Sequence, residues 1–264
     1  MSAGTYVESN GKIFATANIA GPKAPWLVFS NSLMTDHTVW DAQVSHFAGR
    51  FNTLTYDQRG HGRSDAPGSV TFDDLSGDVL ALLDHFDIAR CTYVGLSMGV
   101  PTGLAVVGRA PERIEGLLLS DGQMATQATG RATWQSRIDN ARASGMPWVA
   151  DDTVGRWFNS DFVKSGGATK LRDAAATMSL EGYCSCAAAL QDYDFTSVAT
   201  GLSVRVQLVA GANDGAMPTV MQRMAEAIPG ASLDVIPDAG HIPNLEQPAR
   251  FNAIMERYLT THKS

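Results

Sequence analysis

Cys91-Thr92-Tyr93-Val94-Gly95-Leu96-Ser97-Met98-Gly99 decides how the rest of the chain is read. The first four residues form a short β-rich run suited to a buried strand, and the last five are a G-x-S-x-G pentapeptide. Glycines at 95 and 99 permit a sharp turn from strand into helix, in which the serine takes a strained conformation without steric clash. A turn of that kind lifts the Ser97 hydroxyl clear of a sheet, where a histidine can reach it. The same five residues could simply start a helix, so the surrounding pattern has to decide.

On both sides of this stretch, β-rich runs alternate with helical patterns, which implies a mainly parallel sheet with helices on its faces. Runs at 5–9 and 12–18 flank Asn10-Gly11, a hairpin signal that gives the sheet an antiparallel edge. Continuous apolar runs at 26–29, 52–56, 91–94 and 114–119 suit strands covered on both faces. Leu75, Val79, Leu82, Leu83 and Phe86 recur at helical spacing, and a further helix is expected from Ser97 to about Arg109. After Asp121 the pattern changes. Residues 122–194 contain no convincing strand but four amphipathic segments, near 131–143, 152–159, 169–178 and 183–191. Alternation resumes with strands at 204–209 and 233–236 and helices at 219–228 and up to about 260. The expected organisation is a sheet domain of residues 1–121 and 195–264, with a helical cap of residues 122–194 inserted over one end of the sheet.

Composition excludes several classes of function. The 264 residues suit one α/β core, and 44% hydrophobic with 18% charged residues is an ordinary globular balance. A net charge of −7 without a basic stretch argues against general affinity for nucleic acid or an anionic membrane. The opening Met1-Ser2-Ala3-Gly4-Thr5 lacks a basic segment followed by an apolar run, so no secretory signal is expected. Nothing approaches 18 consecutive apolar residues, so no spanning helix is expected either. Cys91, Cys184 and Cys186 are odd in number, and the Cys-x-Cys pair is poorly placed for a bridge. Reduced thiols in a cytoplasm are the expectation. No histidine or cysteine stands near enough in sequence to make Cys184 and Cys186 a metal site.

Ser97 needs a base, and the base needs an orienting acid, because a free hydroxyl is a weak nucleophile near neutral pH. In an open α/β sheet such groups belong in loops just past the carboxyl ends of strands. The run 204–209 leads into Ala210-Gly211-Ala212-Asn213-Asp214, and the run 233–236 into Pro237-Asp238-Ala239-Gly240-His241. Asp214 and His241 are therefore the expected acid and base, in the chain order nucleophile, acid, histidine. Asp121 also follows a strand and competes for the acid, and Asp214 could instead cap the helix near Met217. The position of Asp214 before the histidine loop favours it. His37, His46, His61, His85 and His262 lack that strand-end placement. The expected chemistry is attack of Ser97 Oγ on an acyl carbon, with His241 as base and Asp214 holding the imidazole. Two backbone N–H groups would receive the oxyanion: Met98, at the start of a helix, and Leu33, from the loop at 30–34.

With these residues in order, the chain resembles the α/β-hydrolase superfamily over essentially its whole length. Asp57-Gln58-Arg59-Gly60-His61-Gly62-Arg63-Ser64 is similar to the D-x-R-G-x-G-x-S loop common there, in which Asp57 and Arg59 brace loops. The resemblance implies the α/β-hydrolase fold, a mostly parallel eight-stranded sheet with helices on both faces and an inserted helical cap. More narrowly, Ser30-Asn31-Ser32-Leu33, Thr35-Asp36, Trp40-Asp41, Trp134-Gln135-Ser136-Arg137-Ile138 and Ala239-Gly240-His241-Ile242-Pro243-Asn244 resemble the 3-oxoadipate enol-lactonases. That family usually has glycine where this chain has Met34. The resemblance implies opening of an enol-lactone to 3-oxoadipate during bacterial breakdown of aromatic compounds, with no metal or organic cofactor. Its substrate is a small lactone or ester bearing a carboxylate, for which Trp134, Arg137 and Ser32 are the expected contacts. Trp134 could instead only pack against Ile138 along a helical face, and Arg137 could be solvated. A carboxylesterase, a perhydrolase of the cofactor-free haloperoxidase type and a carbon–carbon bond hydrolase would share the Ser97, Asp214 and His241 set. A hydrolase-fold binding protein without turnover is the remaining alternative, and the intact set opposes it.

Overall fold

The computed structural model describes residues 4–66 and 68–260. The expectation drawn from the first residues, Met1 to Ala3, and that for His262 lie outside the described residues. Eight strands form one sheet: β1 (Thr5–Glu8), β2 (Lys12–Asn18), β3 (Trp26–Ser30), β4 (Asn52–Tyr56), β5 (Cys91–Leu96), β6 (Ile114–Ser120), β7 (Arg205–Gly211) and β8 (Ser232–Ile236). Their spatial order is β1-β2-β4-β3-β5-β6-β7-β8. β2 pairs antiparallel with β1 and β4, and the remaining pairings are parallel. The hairpin turns through Asn10 and Gly11, both at positive φ, as the Asn-Gly signal requires.

Side chains of a strand alternate between faces, and the core divides accordingly. Val28, Tyr93, Leu117 and Leu208 face one layer, while Leu27, Phe29, Val94, Leu118 and Val209 face the other. The helices in chain order are α1 (Asp41–Phe47), α2 (Phe72–His85), α3 (Gly99–Arg109), α4 (Gly130–Trp157), α5 (Ser160–Lys164), α6 (Thr169–Ala176), α7 (Leu180–Ala189), α8 (Thr196–Thr200), α9 (Met217–Ala227), α10 (Pro243–Glu246) and α11 (Pro248–Thr260). α2, α3 and α9 cover the first face through Val79, Leu82, Leu83, Leu104, Met221 and Met224. α1 and α11 cover the second through Phe47, Phe251 and Met255. Burial on both sides is why these strands read as unbroken apolar runs.

Helices α4 to α8 lie between β6 and β7. A third apolar cluster joins them to the sheet: Ile138, Met146, Tyr183 and Cys186 pack with Leu33, Phe72 and Met98. α4 is broken at Gly145, whose φ of 77° and ψ of 166° are non-helical. Its first arm matches the segment expected at 131–143. The second arm, expected from 152, begins right after the break, because Pro147 sits in the first turn, where its missing N–H costs nothing. α5 and α8 have five residues each, too few for a period to show. One antiparallel bridge, Ala125 to Asp194, ties the start of the segment between β6 and β7 to its later part. It is flanked by hydrogen bonds from Phe195 N–H to Met124 O (2.8 Å) and from Thr126 N–H to Tyr193 O (2.9 Å).

Candidate active site

At the end of β5 the chain turns through Ser97, which sits at φ +54°. Its N–H donates to Ser120 O at 2.8 Å, and α3 begins two residues later. A Cβ at position 95 would lie 2.5 Å from Gly99 O, and one at 99 would lie 2.5 Å from Ser30 O. Both obstacles are backbone, so neither position has room for a side chain. The pentapeptide glycines follow from this close approach as much as from the turn.

Two further loops deliver the partners. Beyond β7 and β8 the exits are laced together, Ala212 N–H to Ile236 O (2.9 Å) and Asn213 N–H to Ala239 O (2.8 Å). His241 donates its own backbone N–H to Trp157 O at 2.8 Å, and its ring lies 5.0 Å from the Trp157 ring. The imidazole is held from both sides: Nδ1 is 2.7 Å from Asp214 Oδ2, and Nε2 is 2.9 Å from Ser97 Oγ. An ionised Asp214 only accepts, so the proton sits on Nδ1 and Nε2 accepts from the serine hydroxyl. Asp121 makes no such contact. Fully buried at the end of β6, it accepts from Gly211 N–H at 2.8 Å and from Ser120 Oγ at 2.6 Å. Burial, then the nearby Asp214 charge, pushes its carboxyl well above the usual range. The structure brings Asp214, and not Asp121, onto the histidine.

These groups face a cavity of about 290 Å³. Leu33 and Met98 border it beside Ser97, and among the described residues neither donates its backbone N–H to another group. The loop carrying Leu33 is fixed by its neighbours. Asn31 donates to Tyr56 O (2.8 Å) and accepts from the Trp40 indole (3.0 Å). Met34, at φ +69°, donates its N–H to His61 Nε2 at 2.9 Å. His61 Nδ1 in turn donates to Arg59 O (3.1 Å), and a ring that donates at Nδ1 while accepting at Nε2 is neutral. Burial pushes the His61 pKa down and favours the same form. Asp57 and Arg59 brace as expected: Asp57 accepts from the His37 and Arg63 N–H groups, and Arg59 pairs with the buried Asp78. Asp36, His37 and Asp57 converge within 4.8 Å, but these brace bonds already engage both Asp57 oxygens. Ser32 is fully buried, does not reach the cavity, and has no partner for its hydroxyl among the described residues. Its carbonyl instead closes a turn with Thr35, and Leu33 takes the place at the cavity wall.

The segment between β6 and β7 supplies the opposite wall through Trp134, Arg137, Arg156, Trp157, Leu190 and Tyr193. Trp134 both packs against the third cluster and carries the Arg137 guanidinium 4.5 Å above its ring. Arg137 is half-buried and has no carboxylate partner among the described residues. Burial, then the charge of Arg156, pushes its pKa down. Arg156, Trp157 and Tyr193 escaped the sequence reading. Arg156 lies four residues after Asp152 and gives only the signature of a solvated helical ion pair.

A family model described as the alpha/beta hydrolase family matches residues 27–254. The chain is 36% identical over 243 residues to 3-oxoadipate enol-lactonase 2 of Acinetobacter baylyi, covering 89% of this chain and 90% of that one. It is 31% identical over 248 residues to 3-oxoadipate enol-lactonase 1 of the same organism, covering 92% of each. Among solved structures, the enol-lactonase from Burkholderia xenovorans LB400 superposes with a TM-score of 0.90 at 35% identity, over 97% of this chain and 100% of that one. With a mostly parallel eight-stranded sheet and this ordering of elements, the chain belongs to the alpha/beta hydrolase family.

Proposed function

We propose that the chain is a serine hydrolase that opens the 3-oxoadipate enol-lactone ring to 3-oxoadipate, in the cytoplasmic breakdown of aromatic compounds. The observation that carries this is the Asp214–His241–Ser97 relay facing a cavity whose far wall holds an arginine without a carboxylate partner among the described residues. Ser97 Oγ attacks the lactone carbonyl while His241 Nε2 takes its proton, and Asp214 steadies the imidazolium. The Leu33 and Met98 N–H groups receive the oxyanion. Ring opening expels an enolate oxygen, which takes the proton back from His241 as an enol. The enol then tautomerises to the ketone by gaining a proton at carbon and losing the one on oxygen, so the leaving group is a good one. Water then releases the acyl group by the same relay in reverse. Arg137, stacked on Trp134, meets the substrate carboxylate. Residues 122–194 act as the cap that closes this chamber. Three free cysteines agree with a reducing compartment.

Steady-state kinetics on 3-oxoadipate enol-lactone beside p-nitrophenyl acetate test this directly. The lactone should be preferred, Ser97→Ala should lose about 10⁴-fold or more in kcat with the fold intact, and Arg137→Ala should raise KM for the lactone alone. Substantial activity in Ser97→Ala would remove the nucleophile, and an unchanged KM would remove Arg137 from recognition.

A further inference from the structure

Arg137 and Arg156 border two spaces at once. One is the inner cavity with Ser97 and His241, and the other is a depression of about 490 Å³ on the outer face of the insertion, open to solvent. They are the two residues common to both linings, so both side chains form part of the wall between the chamber and the outer depression. The outer depression is edged by Thr133, Ser136 and Asp152. Arg137 comes from the arm of α4 before Gly145 and Arg156 from the arm after it, and the break brings the two together.

Their charges are unequally satisfied. Arg156 Nε reaches Asp152 Oδ2 at 3.0 Å on the outer side, with both side chains about two-fifths exposed (41% and 43%). A second bond runs from Arg156 Nη2 to Thr153 Oγ1 at 3.1 Å. Among the described residues, Arg137 has the Trp134 face and no carboxylate. Two neighbouring cations, one half-buried and unpaired, repel each other and lose hydration unless an anion joins them. Such a pair attracts anions from solvent on one side and holds them in the chamber on the other. Asp152 occupies the outer cation where an incoming carboxylate would bind, and an exposed pair of this kind is weak enough to exchange.

We infer that Arg137 and Arg156 form an anion port through the insertion: a small carboxylate docks in the outer depression, displaces Asp152 from Arg156, and is handed past Arg137 into the chamber. The port rests on the proposal that the inner cavity is the reaction chamber, and it does not depend on which lactone or ester reacts there.

Two esters with one leaving group isolate the port, mono-4-nitrophenyl glutarate and 4-nitrophenyl butanoate, compared as the ratio of their kcat/KM values. In the natural sequence the ratio should fall at least about threefold between low and roughly 0.3 M salt, because only the anionic ester is steered. Arg156→Gln should lower the ratio about fivefold or more and flatten its salt dependence, and Asp152→Asn should raise it about twofold. A ratio unmoved by Arg156→Gln, or unmoved or lowered by Asp152→Asn, would overturn the port. Adipate titration by tryptophan fluorescence decides without turnover. Binding at least about fivefold weaker in Arg156→Gln supports the port; equal affinity, or no binding to the natural sequence, overturns it. The lactone enters none of these readouts, so a protein that ignores the lactone but keeps this selectivity loses only its substrate assignment.

Discussion

Replacing Met34 with glycine sets two energies against each other. Met34 sits at φ +69° in the loop that carries Leu33, and left-handed backbone costs a residue with a Cβ about 1–2 kcal/mol. Glycine removes that cost, but its freer unfolded chain returns about 0.5–1 kcal/mol. Against the small gain stands a side chain only 3% exposed. It packs in the cluster with Phe72, Met98 and Met146, and its sulfur accepts from Thr153 Oγ1 at 3.5 Å. Truncating a buried methionine costs about 2–5 kcal/mol. The lower half of that range applies, because Met34 also borders a partly open second cavity of about 140 Å³, so water can enter the space it vacates. Packing wins, and Met34→Gly should be destabilised by about 1–3 kcal/mol, a fall in Tm of roughly 3–10 °C. The backbone N–H to His61 survives the change, so kcat should move less than about threefold. Urea and thermal unfolding beside ester kinetics measure both quantities. A glycine variant as stable as the natural sequence, or more so, would refute the reasoning and show that strain rather than packing governs this loop.

Gly99→Ala places a Cβ 2.5 Å from the Ser30 carbonyl; since backbone must shift, it should cost several kcal/mol, about 3 or more, and circular dichroism melts with soluble yield would show it. Asp214→Asn should cut kcat by roughly 10³–10⁴, because an amide can donate to Nδ1 and turn the imidazole to the wrong tautomer, while Asp121→Asn should do far less; equal losses in the two would sink the assignment of Asp214. Burial lowers the folded-state pKa of His61, so its contribution to stability is complete above the unfolded value near 6.5 and is lost as pH falls below it. His61→Gln should therefore lose less stability than the natural sequence between about pH 6.5 and about pH 5 in urea titrations, and an identical loss would rule His61 out as the cause.

Strand positions were legible because strands buried on both faces leave a continuous apolar signature, and β2 and β4 have the expected bounds. Their carboxyl ends were less so. The run expected to stop at Val94 pairs on through Leu96, and the run expected to stop at Val209 continues to Gly211. Glycine is the reason in both cases. In a sequence it reads as the beginning of a turn, whereas here it remains in the strand because another backbone lies against it. A Cβ at 211 would fall 1.9 Å from Gly240 O. The two arms of α4 match two separately expected segments, but the second arm starts earlier than expected for a related reason. Residues 144–151 carry no clear period, and the left-handed φ of Gly145 that joins the arms leaves no trace in apolar spacing.

The relay and the recognition wall differ in how the chain encodes them. Ser97, Asp214 and His241 each follow a strand of one sheet, and parallel strands bring their carboxyl ends to one edge. Chain order and strand endings together therefore place all three. The wall is encoded by none of these rules. Arg137 and Arg156 meet only because Gly145 redirects α4, and each looks in sequence like one more charge on a solvated helix. If the port operates as proposed, changes at Gly145 or Asp152 should alter which anions reach Ser97 while leaving the relay atoms where they are. On the proposed function, selectivity would shift by redirecting two helix arms, and the pentapeptide around Ser97 carries no record of it.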